Sequence, residues 1–87
     1  MMMAECPPED TLTQEDIQRI LKVSGPITLA RHEANPAFYR SVTIIRSGML
    51  IEQHRGYFFA HRAGGPVLAL EGDIEELLQT LWDLDLL

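Results

Sequence analysis

The spacing of apolar residues changes twice along the chain. Ile17, Ile20 and Leu21 fall at i, i+3 and i+4, which predicts a short helix over 14–23. Thr13 precedes Gln14-Glu15-Asp16. Its hydroxyl is suited to accept the free amide of the third helical residue, and the acids suit the positive helix start. Ser24-Gly25-Pro26 stops the helix, because Gly accepts a left-handed exit and Pro cannot continue the ladder. Runs rich in β-branched and aromatic residues follow at 27–32, 38–46, 49–54, 57–62 and 67–70. Ala34-Asn35-Pro36, Ser47-Gly48, Arg55-Gly56 and Ala63-Gly64-Gly65-Pro66 separate them. Two-residue loops ending in Gly suit the primed turns of hairpins, so the runs read as an antiparallel meander.

Helical spacing returns at the end. Asp73 is placed to cap, with Glu76 as its reciprocal partner, and Ile74, Leu77, Leu78, Leu81 and Trp82 form one stripe. The expected fold is α+β: a meander of four to five strands, with a short N-terminal helix and a C-terminal amphipathic helix on one sheet face. The order is α-β-β-β-β-β-α. Residues 1–12, with Pro7-Pro8 and no periodicity, read as a flexible tail, and 13–87 as a single domain.

Turn positions fix register, and register fixes faces. A Ser47-Gly48 turn pairs Arg46 with Met49 and Ile44 with Ile51. An Arg55-Gly56 turn pairs His54 with Tyr57 and Glu52 with Phe59. One face then carries Val42, Ile44, Met49, Ile51, Phe58 and Ala60, with Arg40, Arg46 and Arg62 at its margins; this is the expected core. The other carries Tyr39, Ser41, Thr43, Glu52, His54, Tyr57 and His61, with Ile45, Leu50 and Phe59 among them. A solvated sheet face is usually plainer than that, and the mixture of Tyr, His, Phe and Leu is closer to the composition of binding surfaces. The rival reading is that these pairs merely stabilise the sheet across strands.

Charge changes the picture more than composition does. The chain has 87 residues and a net charge of −6. Acids dominate both ends: Glu5, Glu9, Asp10, Glu15 and Asp16 at the start, and Glu71, Asp73, Glu75, Glu76, Asp83 and Asp85 at the finish. Between them Arg31, Arg40, Arg46, Arg55 and Arg62, with all three histidines, oppose only Glu33 and Glu52. The sheet is therefore locally basic and the termini acidic. Cys6 is the only cysteine, which forbids an intrachain disulfide and fits a reducing, cytoplasmic setting. No apolar run reaches the roughly 18–20 residues of a membrane helix, and Met1-Met2-Met3-Ala4 lacks the pattern of a signal peptide.

Three chemistries can be weighed against these residues. Arg55-Gly56-Tyr57-Phe58-Phe59-Ala60-His61-Arg62 resembles the RNA-recognition-motif signature at Arg55, Gly56, Tyr57 and Phe59. That family grips phosphate with the basic residue and stacks bases on outward aromatics. The segment departs at Phe58, Ala60 and Arg62, and the family's βαββαβ order is not the order read here. His54 and His61 share a face but pair with different partners, and no zinc-spaced ligand set completes them. Glu52, His54, Tyr57 and Ser41 lack the concave pocket that acid–base or nucleophilic catalysis needs.

The expectation is therefore a non-enzymatic protein-interaction or regulatory module without cofactor or metal, binding another protein or a second copy of itself. Tyr39, Thr43, Glu52, His54, Arg55, Tyr57 and His61 are the expected partner-binding residues. Trp82, Leu84, Leu86 and Leu87 are the expected dimerisation or docking residues, because they exceed what one small core can hold. Two alternatives remain: a single-stranded nucleic-acid-binding sheet using Arg55, Tyr57 and Phe59, and an acidic inhibitor or immunity-type protein docking a basic target through its C-terminal helix.

Overall fold

The computed structural model describes residues 11–87. Cys6, the Pro7-Pro8 pair and most of the expected tail lie outside the described residues. Helix α1 (Gln14–Ser24) leads into strands β1 (Ile27–Arg31), β2 (Tyr39–Ile44), β3 (Met49–His54), β4 (Tyr57–Arg62) and β5 (Val67–Glu71), and helix α2 (Ile74–Asp83) closes the chain. The strands form one antiparallel sheet in sequence order, β1-β2-β3-β4-β5. Both helices pack on the same sheet face, α1 against β2 and α2 against β4 and β5. The architecture is the expected α+β meander.

The start of α1 is held by short-range chemistry. Thr13 Oγ1 accepts from the Asp16 amide at 3.2 Å, and Asp16 Oδ2 accepts from the Thr13 amide at 3.0 Å, a reciprocal capping box. Leu12 and Ile17 occupy the two positions of a hydrophobic staple, and both belong to the buried core. Leu12 also bridges Tyr39 through two backbone hydrogen bonds, of 2.6 and 3.0 Å. Thr11 and Leu12, which fall within the expected tail, are buried against the domain. A lone leucine between threonines carries no periodic signal, which is why the pattern passes over it.

The β3–β4 hairpin has the expected two-residue loop. Arg55 and Gly56 both adopt positive φ, 52° and 83°, as a type I′ turn requires, and Glu52 pairs with Phe59 and Ile51 with Ala60. The β2–β3 hairpin differs. Val42, not Ile44, pairs with Ile51, and the loop comprises Ile45-Arg46-Ser47-Gly48, closed by the Gly48 amide on the Ile44 carbonyl at 2.8 Å. This slip is two residues. Because side chains alternate with period two, the faces survive it. Val42, Ile44, Met49, Ile51, Phe58 and Ala60 are all buried, with Ala69 from β5, under Ile17 and Ile20 of α1 and Ile74, Leu77, Leu78 and Leu81 of α2.

A bulge does change one face. Ala30 pairs with Ser41, but the next β1 residue, Arg31, pairs with Tyr39, leaving Arg40 as an extra residue in β2. Beyond that point the alternation reverses. Tyr39 therefore turns to the helical side, where it is 6% exposed and its hydroxyl donates to Gln14 Oε1 at 3.1 Å. The Arg31 guanidinium lies over its ring, 5.1 Å from the centroid.

The two ends of α2 also depart from expectation. Asp73 holds the N-cap position in an extended conformation, but its side chain accepts no capping hydrogen bond. At the other end Asp85 adopts φ 59°, the Leu86 amide reaches the Leu81 carbonyl at 2.8 Å, and the Asp85 amide reaches Trp82 at 3.0 Å. This is a Schellman motif with aspartate in the usual glycine position. The reversal folds Leu86 and Leu87 back against the core, so one core does accommodate these two leucines. Trp82 lies outside it. At 100° per residue it sits about 80° from Ile74, past the edge of the buried stripe, and is 66% exposed.

Replacing Leu12 with alanine is expected to cost about 2–4 kcal/mol in urea unfolding, the range for a fully buried leucine. A loss near zero would return Leu12 to the tail.

Candidate functional site

With both helices on one side, the other side of the sheet has no layer over it among the described residues. Alternation from the paired register turns Thr28, Ala30, Ser41, Thr43, Leu50, Glu52, His54, Tyr57, Phe59, His61 and Leu70 to that side. In β5 a second bulge falls at Leu68, between the Ala60–Ala69 and His61–Val67 pairs, and it exposes both Val67 and Leu68. The face is not uniform. Its β1–β2 half is small and polar, with Ser41 buried and Thr43 half-buried. Its β4–β5 half is apolar and open, with Tyr57 and Val67 each 54% exposed and Leu70 56%.

A polar device separates the halves. His61 Nε2 donates to Glu52 Oε1 at 2.8 Å, and His61 Nδ1 lies 3.1 Å from the Arg62 carbonyl. The imidazole stacks on Phe59 with centroids 5.7 Å apart and planes 20° from parallel. The hydrogen bond runs diagonally across β3 and β4, because Glu52 faces Phe59 and His61 faces Leu50. One ring is thus fixed by a carboxylate at its edge and a phenyl at its face. These contacts give Glu52 and His61 a role in holding the face rigid.

Beyond them, His54, Arg55, Tyr57, Phe59, Val67 and Leu70 line a shallow depression of ≈ 410 Å³. Its floor and walls are apolar, and its cationic end is the β3–β4 turn. Arg55 has no ion pair among the described residues. The left-handed backbone of the turn holds it there at a conformational cost that Asn, Asp or Gly would largely avoid. A shallow apolar groove with one charge at its end suits an extended or convex protein surface.

Of the residues singled out from sequence, His54, Arg55 and Tyr57 line this groove, Glu52 and His61 border it, and Thr43 lies on the same side at some remove. Tyr39 is on the opposite side and buried. Leu86 and Leu87 are spent on their own core, while Trp82 and Leu84 remain exposed, at 66% and 52%. The sequence reading misses Val67, Leu68 and Leu70. Val67-Leu68-Ala69-Leu70 is apolar throughout, so no alternation marks which of them face outward. Among the described residues no three His, Cys, Asp or Glu side chains are placed to hold a metal ion, and no helix is long and apolar enough to cross a membrane.

The strained turn gives a direct check. Arg55→Asn is expected to raise stability by about 0.5–1 kcal/mol in denaturant unfolding, by relieving the left-handed residue. A loss of stability would mean that the arginine side chain supports the fold. No protein-family model matches the chain, and neither a curated protein nor a solved structure shows significant similarity to it.

Proposed function

We propose that the chain is a non-enzymatic protein-interaction module that binds through the β4–β5 half of its outward sheet face. One observation carries this reading: Tyr57, Val67 and Leu70 form an exposed apolar surface along one groove, on a sheet whose other face holds the core of the described residues. Scattered apolar residues need no explanation, but a contiguous patch rimmed by polar groups marks an interaction site. Tyr57 and Arg55 are residue types that dominate binding energies when they become fully desolvated. The Glu52–His61–Phe59 set supports the same reading, since it fixes the border of the patch before any partner arrives.

Protein is favoured over single-stranded nucleic acid on two counts. The Phe59 ring is already engaged by His61, which removes one stacking platform. Glu52 places a carboxylate beside the groove, and a net charge of −6 opposes phosphate binding.

A photo-crosslinking residue at position 57 or 70, in the chain's own host, is expected to join a protein, whereas one at position 18 on α1 is not. The identified partner's affinity is expected to fall at least tenfold with Leu70→Glu. The substitution itself should move stability by no more than about 0.5 kcal/mol, as usual for an exposed position. Crosslinks to nucleic acid with a steep salt dependence, or an affinity indifferent to Leu70→Glu, would overturn the assignment.

A further inference from the structure

Two of the exposed apolar surfaces among the described residues have opposite charges beside them. The first is the groove at Tyr57, Phe59, Val67 and Leu70, ending in Arg55. The second is the end of α2, where exposed Trp82 and Leu84 alternate in sequence with Asp83 and Asp85. No basic residue occupies the last turn of that helix, and none occurs after Arg62 in the sequence. Asp83 and Asp85 at the knob and Arg55 at the groove's end are complementary in charge, with Glu52 at the groove's border and Arg46 beside Trp82 and Asp85 as the opposing charges.

We propose that the α2 end of one copy, led by Trp82, seats in the β4–β5 groove of a second copy, with Asp83 or Asp85 meeting Arg55. This rests on the groove being the binding surface and names its occupant.

The placement of the two surfaces excludes the contact within one molecule. Phe58 pairs with Glu71, so α2 starts at the end of the sheet that carries the Arg55-Gly56 turn. Its ten residues then run about 15 Å back along the helical side to the vicinity of Arg46, which lines a depression together with Trp82, Asp85 and Leu87. The knob therefore lies on the face opposite the groove and at the far end of the sheet from Arg55. A contact between two different surfaces leaves one groove and one knob free at the ends of every assembly. Copies then add head to tail, and growth stops only if the rotation closes a ring. Trp is the residue type best able to carry such a contact, burying about 150–250 Å² while its ring stays rigid. The net charge of −6 on each copy opposes assembly at low ionic strength. The contact is accordingly weak and depends on concentration.

Sedimentation velocity on the full chain tests this with complementary variants. The mean mass of the wild type is expected to rise with concentration past that of a dimer. Leu70→Glu, which closes the groove, and Trp82→Ala, which removes the knob, are each expected to stay monomeric. An equimolar mixture of the two retains one intact groove and one intact knob, and is expected to give a heterodimer of twice the chain mass and nothing larger. Leu84→Glu serves as a second knob variant should Trp82→Ala disturb α2, and circular dichroism confirms folding. If Trp82→Ala and Leu84→Glu assemble like the wild type while Leu70→Glu does not, the groove or the β5 edge meets its own counterpart; the occupant is then wrong and the surface right. If the wild type stays monomeric throughout, the second copy is excluded, while crosslinking at position 70 still decides the groove. If assembly persists in Leu70→Glu, the proposal fails and the groove plays no part in self-association.

Discussion

The period-two alternation of a strand, locked by the Arg55-Gly56 turn, is the constraint on which the rest of the molecule depends. A type I′ turn with both central residues at positive φ leaves the β3–β4 pair one register. That register puts Ile51, Phe58 and Ala60 beneath the helices and Glu52, Phe59 and His61 outside. A slip of one residue would exchange every one of them. The cost of the left-handed arginine is small against what it fixes: the position of the core, the His61–Glu52 hydrogen bond, and the cation at the end of the groove.

Coverage of the sheet then determines what is left to bind. The described residues supply two helices of eleven and ten residues, enough for one layer. Short helices are marginal alone and depend on an apolar face to pack against. Both therefore go to the more apolar side of the sheet, and the less apolar side is left open. Along β1 and β2 the open side is lined with small polar groups and needs no cover. Along β4 and β5 it is not, and Tyr57, Val67 and Leu70 are each more than half exposed there. The partner-binding reading grows from that imbalance rather than from any single side chain.

Much of this was legible in the sequence because it rests on local, periodic signals. The helices at Ile17-Ile20 and Ile74–Leu81, the Thr13 cap, the β3–β4 turn and the six core residues of β2, β3 and β4 all follow from spacing and turn chemistry. The β2–β3 loop was read two residues too short, yet its faces came out right because the error was even. The two errors of facing share one cause. Bulges at Arg40 and Leu68 each insert an odd residue, and no propensity marks where they occur. The first carried Tyr39 into the core, and the second concealed the outward run of β5. Leu12 and Leu86 escape the pattern for another reason: a staple buries Leu12 and a Schellman turn partly buries Leu86, rather than a periodic stripe.

Nuclear Overhauser contacts from isotope-labelled methyl groups measure the facing of the sheet most directly. The methyls of Ile51 and Ala60 should show contacts to the leucine methyls of α2, while the Phe59 ring shows contacts to Leu70 and none to either helix. Contacts from Phe59 to Leu77 or Leu81, with Ile51 silent toward α2, would contradict the account at its root.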